Sequence, residues 1–363
     1  MTVLVAGGAG YIGSHTVYEL LEQGYDVIVV DNLQTGHRQA IPAGTRFYEG
    51  DIRNRAFLDD IFAKETVDGV IHFAASSLVG ESMAKPLQYY RNNLYGTMVL
   101  LEAMTEHGVS DIVFSSSAAV YGEPVSIPIR EDHPKAPLNT YGETKLAMEQ
   151  MMTWTSRAHG LRYAALRYFN ACGAHPSGCT GEDHEPETHL IPIVLQVAEG
   201  RREKISVFGT DYDTPDGTCI RDYVHVMDLA HAHVLALQYL ANGGKSDAFN
   251  LGSGTGFSVA EIIEHARSVT GREIPVEPAA RRAGDPAVLI ASSEKARRVL
   301  GWKPAYGDID VILKTAWEWH RKQESMQKMH DAKMIQEELE DIEAGRTVDG
   351  DQAINNIRDR YGV

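Results

Sequence analysis

Tyr141 and Lys145 stand four residues apart in Tyr141-Gly142-Glu143-Thr144-Lys145, a stretch that opens a helix with Asn139 or Thr140 as its cap. The i, i+4 spacing puts both side chains on one helix face. A tyrosine hydroxyl has a pKa of about 10, too high for a base at neutral pH. A nearby ammonium favours the phenolate. Bringing the pKa down to neutrality takes roughly 4 kcal/mol of preferential stabilisation. Ser117 closes the run Ser115-Ser116-Ser117 at the end of an apolar stretch. Its hydroxyl could share and orient a substrate's hydroxyl proton. Singly, each residue has an ordinary explanation, since Tyr–Lys pairs are common on helices and serine runs are common in turns. Their weight comes from their order behind a second motif.

That motif is Gly7-Gly8-Ala9-Gly10-Tyr11-Ile12-Gly13, placed between an apolar strand at 2–6 and a helix. Gly7 permits a tight turn, Gly10 lets backbone approach a pyrophosphate, and Gly13 lets helix and strand pack closely. The helix that follows aims its free N–H groups and positive dipole end at phosphates. A glycine-rich turn alone is weak evidence. Here Asp31 also ends the second strand, about 20 positions on, where its carboxylate can accept hydrogen bonds from a ribose. The same carboxylate would repel a 2′-phosphate, so the expected cofactor is NAD rather than NADP. A positive nicotinamide ring beside Tyr141 would further favour its phenolate. Asp51-Ile52 follows the third strand, where an adenine could lie. Phe73-Ala74-Ala75 ends the fourth, where small residues leave room for a cofactor.

These residues need a frame to hold them. Apolar runs at 2–6, 27–31, 69–74, 112–115 and 163–167 alternate with helical stretches at 11–24, 54–65, 86–107 and 141–159. That rhythm predicts a parallel sheet covered on both faces. The expected fold is α/β, a Rossmann-type doubly wound parallel sheet over 1–170, completed by later segments. A smaller substrate-binding lobe over 171–320 mixes helices at 190–200, 227–242 and 258–270 with strands at 205–208 and 247–251. Between the two, 171–188 is rich in Gly, Pro, Glu, His and Cys and reads as a long functional loop. The polar stretch 321–363 reads as a helical extension, broken at Ala344-Gly345, with a second short helix at 353–360.

The 363 residues carry a net charge of −16, which argues against nucleic acid or an anionic membrane as partner. It leaves room for a diphosphate held by a few arginines and helix N-termini. The three cysteines show no CxxC spacing, so neither a zinc site nor a disulfide framework is expected, and no metal. No apolar run reaches transmembrane length, and the chain enters a strand without a basic leader. A cytoplasmic enzyme is expected.

The strings GGAGYIGSHT, HFAA, FSSSAAVYG, YGETK, LRYFNACGAHPSG, IRDYVHV and RR-GD together resemble the UDP-glucose 4-epimerase family of the extended short-chain dehydrogenase/reductase superfamily. The likeness runs over about residues 1–320. The glycine turn and the YxxxK pair are common to the superfamily, whereas the FSSSAAVYG, RYFNACGAHPSG and RDYVHV strings are more specific. The resemblance implies C4 epimerisation of UDP-glucose and UDP-galactose through a 4-keto sugar, with tightly held NAD. Tyr141 would be the base at the C4 hydroxyl. Lys145 would hold the NAD ribose, and Ser117 would assist proton transfer.

Cofactor contacts carried over fall on Tyr11, Ile12, Asp31, Asn32, Leu33, Thr35 and Gly36. They continue on Asp51, Ile52, Phe73, Ala74, Ala75 and Ser77, then Asn93, Ser115, Tyr168 and Phe169. Substrate contacts fall on Asn170, Leu190, Phe208, Arg221, Tyr223, Arg282 and Asp285, with Leu289 at the position that limits the C2 substituent. Without the resemblance, Arg221 and Arg282 read as surface pairs. With it, they suit a diphosphate, because one guanidinium can bond two oxygens. A homodimer through the helices at about 86–107 and 141–159 is also implied.

There are departures. Ser77 stands where some members carry Lys, and Ala119 where a Thr often stands. Leu289 is intermediate in size, which leaves N-acetylated UDP-hexosamines open as substrates. The rival readings are a sugar-nucleotide dehydratase or decarboxylase, a non-catalytic NAD-sensing protein, and an NADPH-dependent reductase. A dehydratase needs an acidic pair after the catalytic Ser, and Ala118-Ala119 cannot do acid–base work. The intact Ser117, Tyr141 and Lys145 disfavour the second, and Asp31 disfavours the third.

Overall fold

The computed structural model describes residues 1–282 and 285–343. Its first half alternates strand and helix: β1 (Thr2–Ala6), α1 (Tyr11–Glu22), β2 (Asp26–Asp31), β3 (Arg46–Glu49), α2 (Arg55–Lys64) and β4 (Gly69–His72). Then come α3 (Val79–Ala84), α4 (Pro86–Tyr89), α5 (Gly96–Glu106), β5 (Asp111–Ser115), α6 (Thr140–His159) and β6 (Arg162–Arg167). The second half continues with β7 (Asn170–Cys172), α7 (Leu190–Ala198), β8 (Ile205–Phe208), β9 (Ile220–Arg221), β10 (Tyr223–His225), α8 (Val226–Ala241) and β11 (Asp247–Asn250). It ends with β12 (Phe257–Ser258), α9 (Val259–Thr270), β13 (Val276–Ala279), β14 (Val288–Leu289), α10 (Glu294–Val299) and α11 (Ile309–Glu343).

Seven strands make one parallel sheet in the order β11-β6-β5-β4-β1-β2-β3. Successive residues of a strand point to opposite faces, and both faces are apolar, as continuous apolar strands require. Val3, Val5, Val29, Ile71, Val113 and Leu166 belong to one buried cluster, with Val17 and Leu20 of α1 and Leu229 through Leu240 of α8. Leu4, Ala6, Val30, Val70, Ile112 and Phe114 belong to the other, with side chains from α2, α5 and α6. Helix α8 and strand β11 thus come from the second half of the chain and finish the first lobe. His231 of α8 meets Glu19 of α1 at 2.9 Å. The second lobe has its own core, built from α7, α9 and the first turns of α11 around β8 and β10.

The single helix expected at 86–107 runs without interruption from Pro86 to Glu106 but widens in its middle. Pro86 starts α4 at a position where a missing N–H costs nothing. A π-helical stretch, Tyr90–Tyr95, then joins α4 to α5. Such stretches are rare and gather at functional sites. This one carries Asn93, which is fully buried.

Residues Met1–Trp319 form one compact unit, and a second begins at His320. The described part of that second unit continues helix α11 to Glu343. The helix break at Ala344-Gly345 and the short helix at 353–360 lie outside the described residues. Among those described, no helix is long and apolar enough to cross a membrane.

Candidate active site

Apart from Asn93 on the π-helical stretch and Tyr141 and Lys145 on α6, the expected cofactor residues lie at or just beyond the carboxyl ends of parallel strands, where open α/β sheets bind ligands. Gly7 has a φ of +81°, and a Cβ there would lie 2.5 Å from the Ala74 nitrogen. A Cβ on Gly13 would lie 2.1 Å from the Gly7 carbonyl oxygen. Both glycines are therefore imposed by the turn itself. Gly10 is different, because a Cβ there would meet no protein atom closer than 3.5 Å. The open side it leaves, at the N-terminus of α1, is a cradle into which a pyrophosphate fits.

Asp31 is 9% exposed. One carboxylate oxygen accepts the Ala9 N–H at 2.9 Å and the other the Leu33 N–H at 2.9 Å. Burial raises its pKa and the backbone donors oppose that. The carboxylate keeps further lone pairs, enough to accept ribose hydroxyls. Leu33 sits at φ 55°, a left-handed conformation uncommon for a branched side chain. Thr35 is exposed and Gly36 buried beside it. Asp51 pairs with Arg53 and accepts from Asn32 at 3.2 Å; the Arg53 contact leads in lowering its pKa to about 2. Ile52 is buried against the start of α5.

Phe73, Ala74 and Ala75 are half-buried after β4, and Ser77 is exposed. Asn93 holds this loop. Its amide oxygen accepts the Ser76 N–H at 2.8 Å, and its amide nitrogen donates to the Ser76 carbonyl and to Thr144 Oγ1 at 3.1 and 3.0 Å. Both amide hydrogens are spoken for, so Asn93 ties the loop to α6.

Helix α6 brings the reactive pair into place. The Asn139 side chain caps it, accepting the Gly142 N–H at 2.8 Å. A Cβ on Gly142 would lie 2.6 Å from the Ala119 carbonyl oxygen, so only glycine lets the turn after Ser117 approach this helix. The Ser117 hydroxyl faces the Tyr141 phenol and favours its ionised form, although burial dominates and raises the Tyr141 pKa. Lys145 is 3% exposed. Its Nζ donates to the Ser115 carbonyl at 2.8 Å and lies 5.8 Å from the centre of the Tyr141 ring. Burial brings its pKa down to about 7, against the pull of Glu149. Ser115 Oγ meets the Tyr168 hydroxyl at 2.5 Å, and burial raises the Tyr168 pKa. Ser117, Tyr141, Lys145, Ser115 and Tyr168 are thus one constellation.

Beneath it lies a network that the sequence reading missed. Glu149, one turn beyond Lys145, accepts from Ser116 Oγ at 2.6 Å and from Arg167 Nε at 2.8 Å. Arg167 also donates to the Tyr121 hydroxyl at 2.7 Å, which donates to Asn250 Oδ1 at 2.7 Å. The ion pair is buried and fully hydrogen-bonded, as a buried charge must be. No local signal marks it, because its partners are 18 to 129 residues apart.

The substrate-side residues gather on the small strands. Asn170 pairs in register with Tyr223, and its side chain donates to the Asp222 carbonyl at 3.0 Å. Leu289 pairs in register with Arg221. The Arg221 guanidinium forms an ion pair with Asp285 and donates to the Ile220 carbonyl at 2.8 Å. The Arg282 guanidinium lies 4.2 Å above the Phe208 ring, a cation–π contact. Tyr223 is buried, and Leu190 opens α7. Phe169 and Leu289 pack in one cluster with Leu146, the neighbour of Lys145.

Comparison with known proteins agrees with this geometry. Residues 3–252 match the NAD dependent epimerase/dehydratase family. The chain is 60% identical to a UDP-glucose 4-epimerase of Lacticaseibacillus casei over 320 residues, 88% of this chain and 97% of that one. It is 61% identical to a UDP-glucose 4-epimerase of Halalkalibacterium halodurans over 322 residues, 89% of this chain and 96% of that one. Among solved structures, a UDP-glucose 4-epimerase from Brucella ovis in complex with NAD superposes with a TM-score of 0.86 at 50% identity. That match covers 87% of this chain and 97% of the other.

Proposed function

This chain belongs to the NAD dependent epimerase/dehydratase family, and on that premise we propose that it interconverts UDP-glucose and UDP-galactose by epimerisation at C4. The observation that carries this reading is the constellation of buried Ser117 and Lys145 with half-buried Tyr141, beside a glycine turn whose Gly10 leaves an open cradle. Bound NAD supplies a reversible two-electron oxidation at C4, with no net redox change. The rest is the work of the chain's own side chains. Tyr141 would take the C4 hydroxyl proton, and Ser117 would orient that hydroxyl. Lys145 would hold the cofactor ribose and stabilise the phenolate.

Arg221, aligned by Asp285, and Arg282, propped on Phe208, would hold the diphosphate. Asn170, Leu190 and Tyr223 would line the nucleotide side. The lobe over 171–320 would thus bring the sugar to the reactive pair while excluding water from the ketone.

A dehydratase or decarboxylase is not favoured. Ala118 and Ala119 sit where an acid would be needed, and the Ala119 N–H is spent on Ser117 Oγ at 3.1 Å. The free thiols of Cys172, Cys179 and Cys219 suit a reducing compartment, which supports a cytoplasmic enzyme. A homodimer through α5 and α6 completes the proposal.

The test is a coupled assay on purified, NAD-containing protein without added reductant. UDP-glucose and UDP-N-acetylglucosamine are run side by side, so that the size of Leu289 is read as substrate choice. Conversion of UDP-glucose is expected, and its absence rejects the reading. Tyr141→Phe is expected to fold and keep NAD but to lose at least about 100-fold in turnover. Near wild-type turnover in that variant would remove Tyr141 from its role.

A further inference from the structure

The loop between β7 and α7 carries four side chains that the chemistry above does not use: Glu182, His184, Glu187 and His189. Their ligating atoms all lie within 4.8 Å of one another. Glu182 Oε1 is 2.5 Å from His189 Nδ1 and 3.2 Å from His184 Nδ1. Glu187 approaches His189 Nδ1 at 3.5 Å and His184 Nδ1 at 3.8 Å. Both carboxylates are 5% exposed. Two nitrogens and two oxygens therefore converge on one point from a Glu-x-His-x-x-Glu-x-His segment.

The cluster is not satisfied as a hydrogen-bonded one. Glu182 Oε1 and His184 Nδ1 are buried and make no hydrogen bond. The approaches of the imidazoles to Glu182 are close in distance but not aligned for donation. Glu187 Oε1 is better served, accepting the Thr188 and His189 N–H groups at 2.7 and 2.8 Å. Two buried carboxylates thus share one pocket with two imidazoles, and one Glu182 oxygen is left without a hydrogen bond. Buried charge of that kind is paired or bound to a metal. A dication brings the set to neutrality. Nδ1 and carboxylate oxygen are ligands of zinc, which is bound tetrahedrally with bonds of about 2.1 Å. In that geometry ligand atoms are about 3.4 Å apart. The nitrogen–oxygen separations here, 2.5, 3.2, 3.5 and 3.8 Å, bracket this value, so small side-chain rotations close the set.

We propose that Glu182, His184, Glu187 and His189 bind a single zinc-class divalent cation that pins this loop in place. The surroundings show what it pins. The Trp319 indole N–H donates to the Glu182 carbonyl at 3.0 Å. His37 Nε2 lies 2.9 Å from the Asp183 carbonyl, directly after the cofactor loop at 31–36. The His184 ring meets Tyr11 edge-on at 6.1 Å, and the Tyr11 hydroxyl donates to the Gly173 carbonyl at 2.6 Å. Tyr11 is the first residue of α1. The ion is thus structural, with all four positions filled by the protein. It joins the start of the cofactor helix to the entrance of α7, and it has no part in the proton transfer at Tyr141.

The test uses the full chain after dialysis against a chelator, titrated with Zn²⁺ and separately with Co²⁺. A single tight equivalent per chain is expected. The cobalt form should show the visible bands of a tetrahedral site, and zinc should raise the thermal midpoint. His184→Asn and His189→Asn should each weaken zinc binding by at least about 100-fold, while Tyr141→Phe should bind zinc as wild type does. Absence of stoichiometric zinc in folded wild-type protein overturns the proposal. So does full-affinity binding in a folded variant lacking both imidazoles. Neither readout depends on the epimerase assay, so failure there leaves this test intact.

Discussion

At the residue scale, the structure changes how Tyr141 and Lys145 work together. The expectation was a cation that lowers a tyrosine pKa. The pocket instead penalises both ions: burial raises Tyr141 and brings Lys145 to about 7. Each charge is costly alone, and an ammonium beside a phenolate offsets part of that cost. Lys145 lies 5.8 Å from the Tyr141 ring centre. At that range, with an effective dielectric of about 20, the attraction is about 3 kcal/mol. That equals about two pH units in the apparent pKa of the base. In Lys145→Met, the pH at which kcat/KM is half-maximal should move upward by about that much. A pH–rate profile that drops uniformly with an unmoved midpoint would assign Lys145 to cofactor binding alone.

At the element scale, what was legible in the sequence was what is local. Strands β1 and β2 and the glycine turn between them could be read because apolar runs, Gly7, Gly13 and Asp31 fall within about thirty residues. The Tyr141-to-Lys145 face could be read because helical spacing puts it there. The π-helical stretch could not, since Tyr90 to Tyr95 look like ordinary helix and the widening serves Asn93, whose partners lie 17 and 51 residues away. The Glu149–Arg167 pair was hidden for the same reason. Helices α3 to α6 also leave apolar side chains outward. Leu87 is 80% exposed and Trp154 65%. Tyr90, Leu94, Met98 and Met151 line an apolar recess between α5 and α6. A patch of this kind marks an interface, and it lies on the two helices expected to pair two copies. Light scattering should give twice the chain mass for the wild type, and Met98→Arg should shift it toward a single chain. A wild type that runs as a single chain would reject the dimer.

At the scale of the whole molecule, the second half of the chain does more than bind substrate. Helix α8 and strand β11 finish the first lobe, so the two cores are one cooperative structure rather than a cofactor domain with an appendage. Buried histidines run through it: His15 in α1, His72 ending β4, His225 ending β10 and His233 in α8. Burial lowers their pKa values to about 4, 3, 3 and 4 respectively. Each is depressed below its unfolded value of about 6.5. As pH falls below 6.5, the unfolded chain takes up protons that the folded one refuses, so stability is lost with acidification. From pH 6.5 to 5.5 each group gives up about 1 kcal/mol, on the order of 4 kcal/mol for the four. That is a large share of a typical domain's stability of about 5–15 kcal/mol. His231, raised by its hydrogen bond with Glu19, works the other way over the same window and offsets part of this loss. Urea unfolding of the NAD-containing protein should show a midpoint that falls markedly between these two pH values at an unchanged slope. Equal midpoints would mean that the imidazoles accept protons in the folded state, and that the sheet and α8 are not packed as tightly around them as the structure shows.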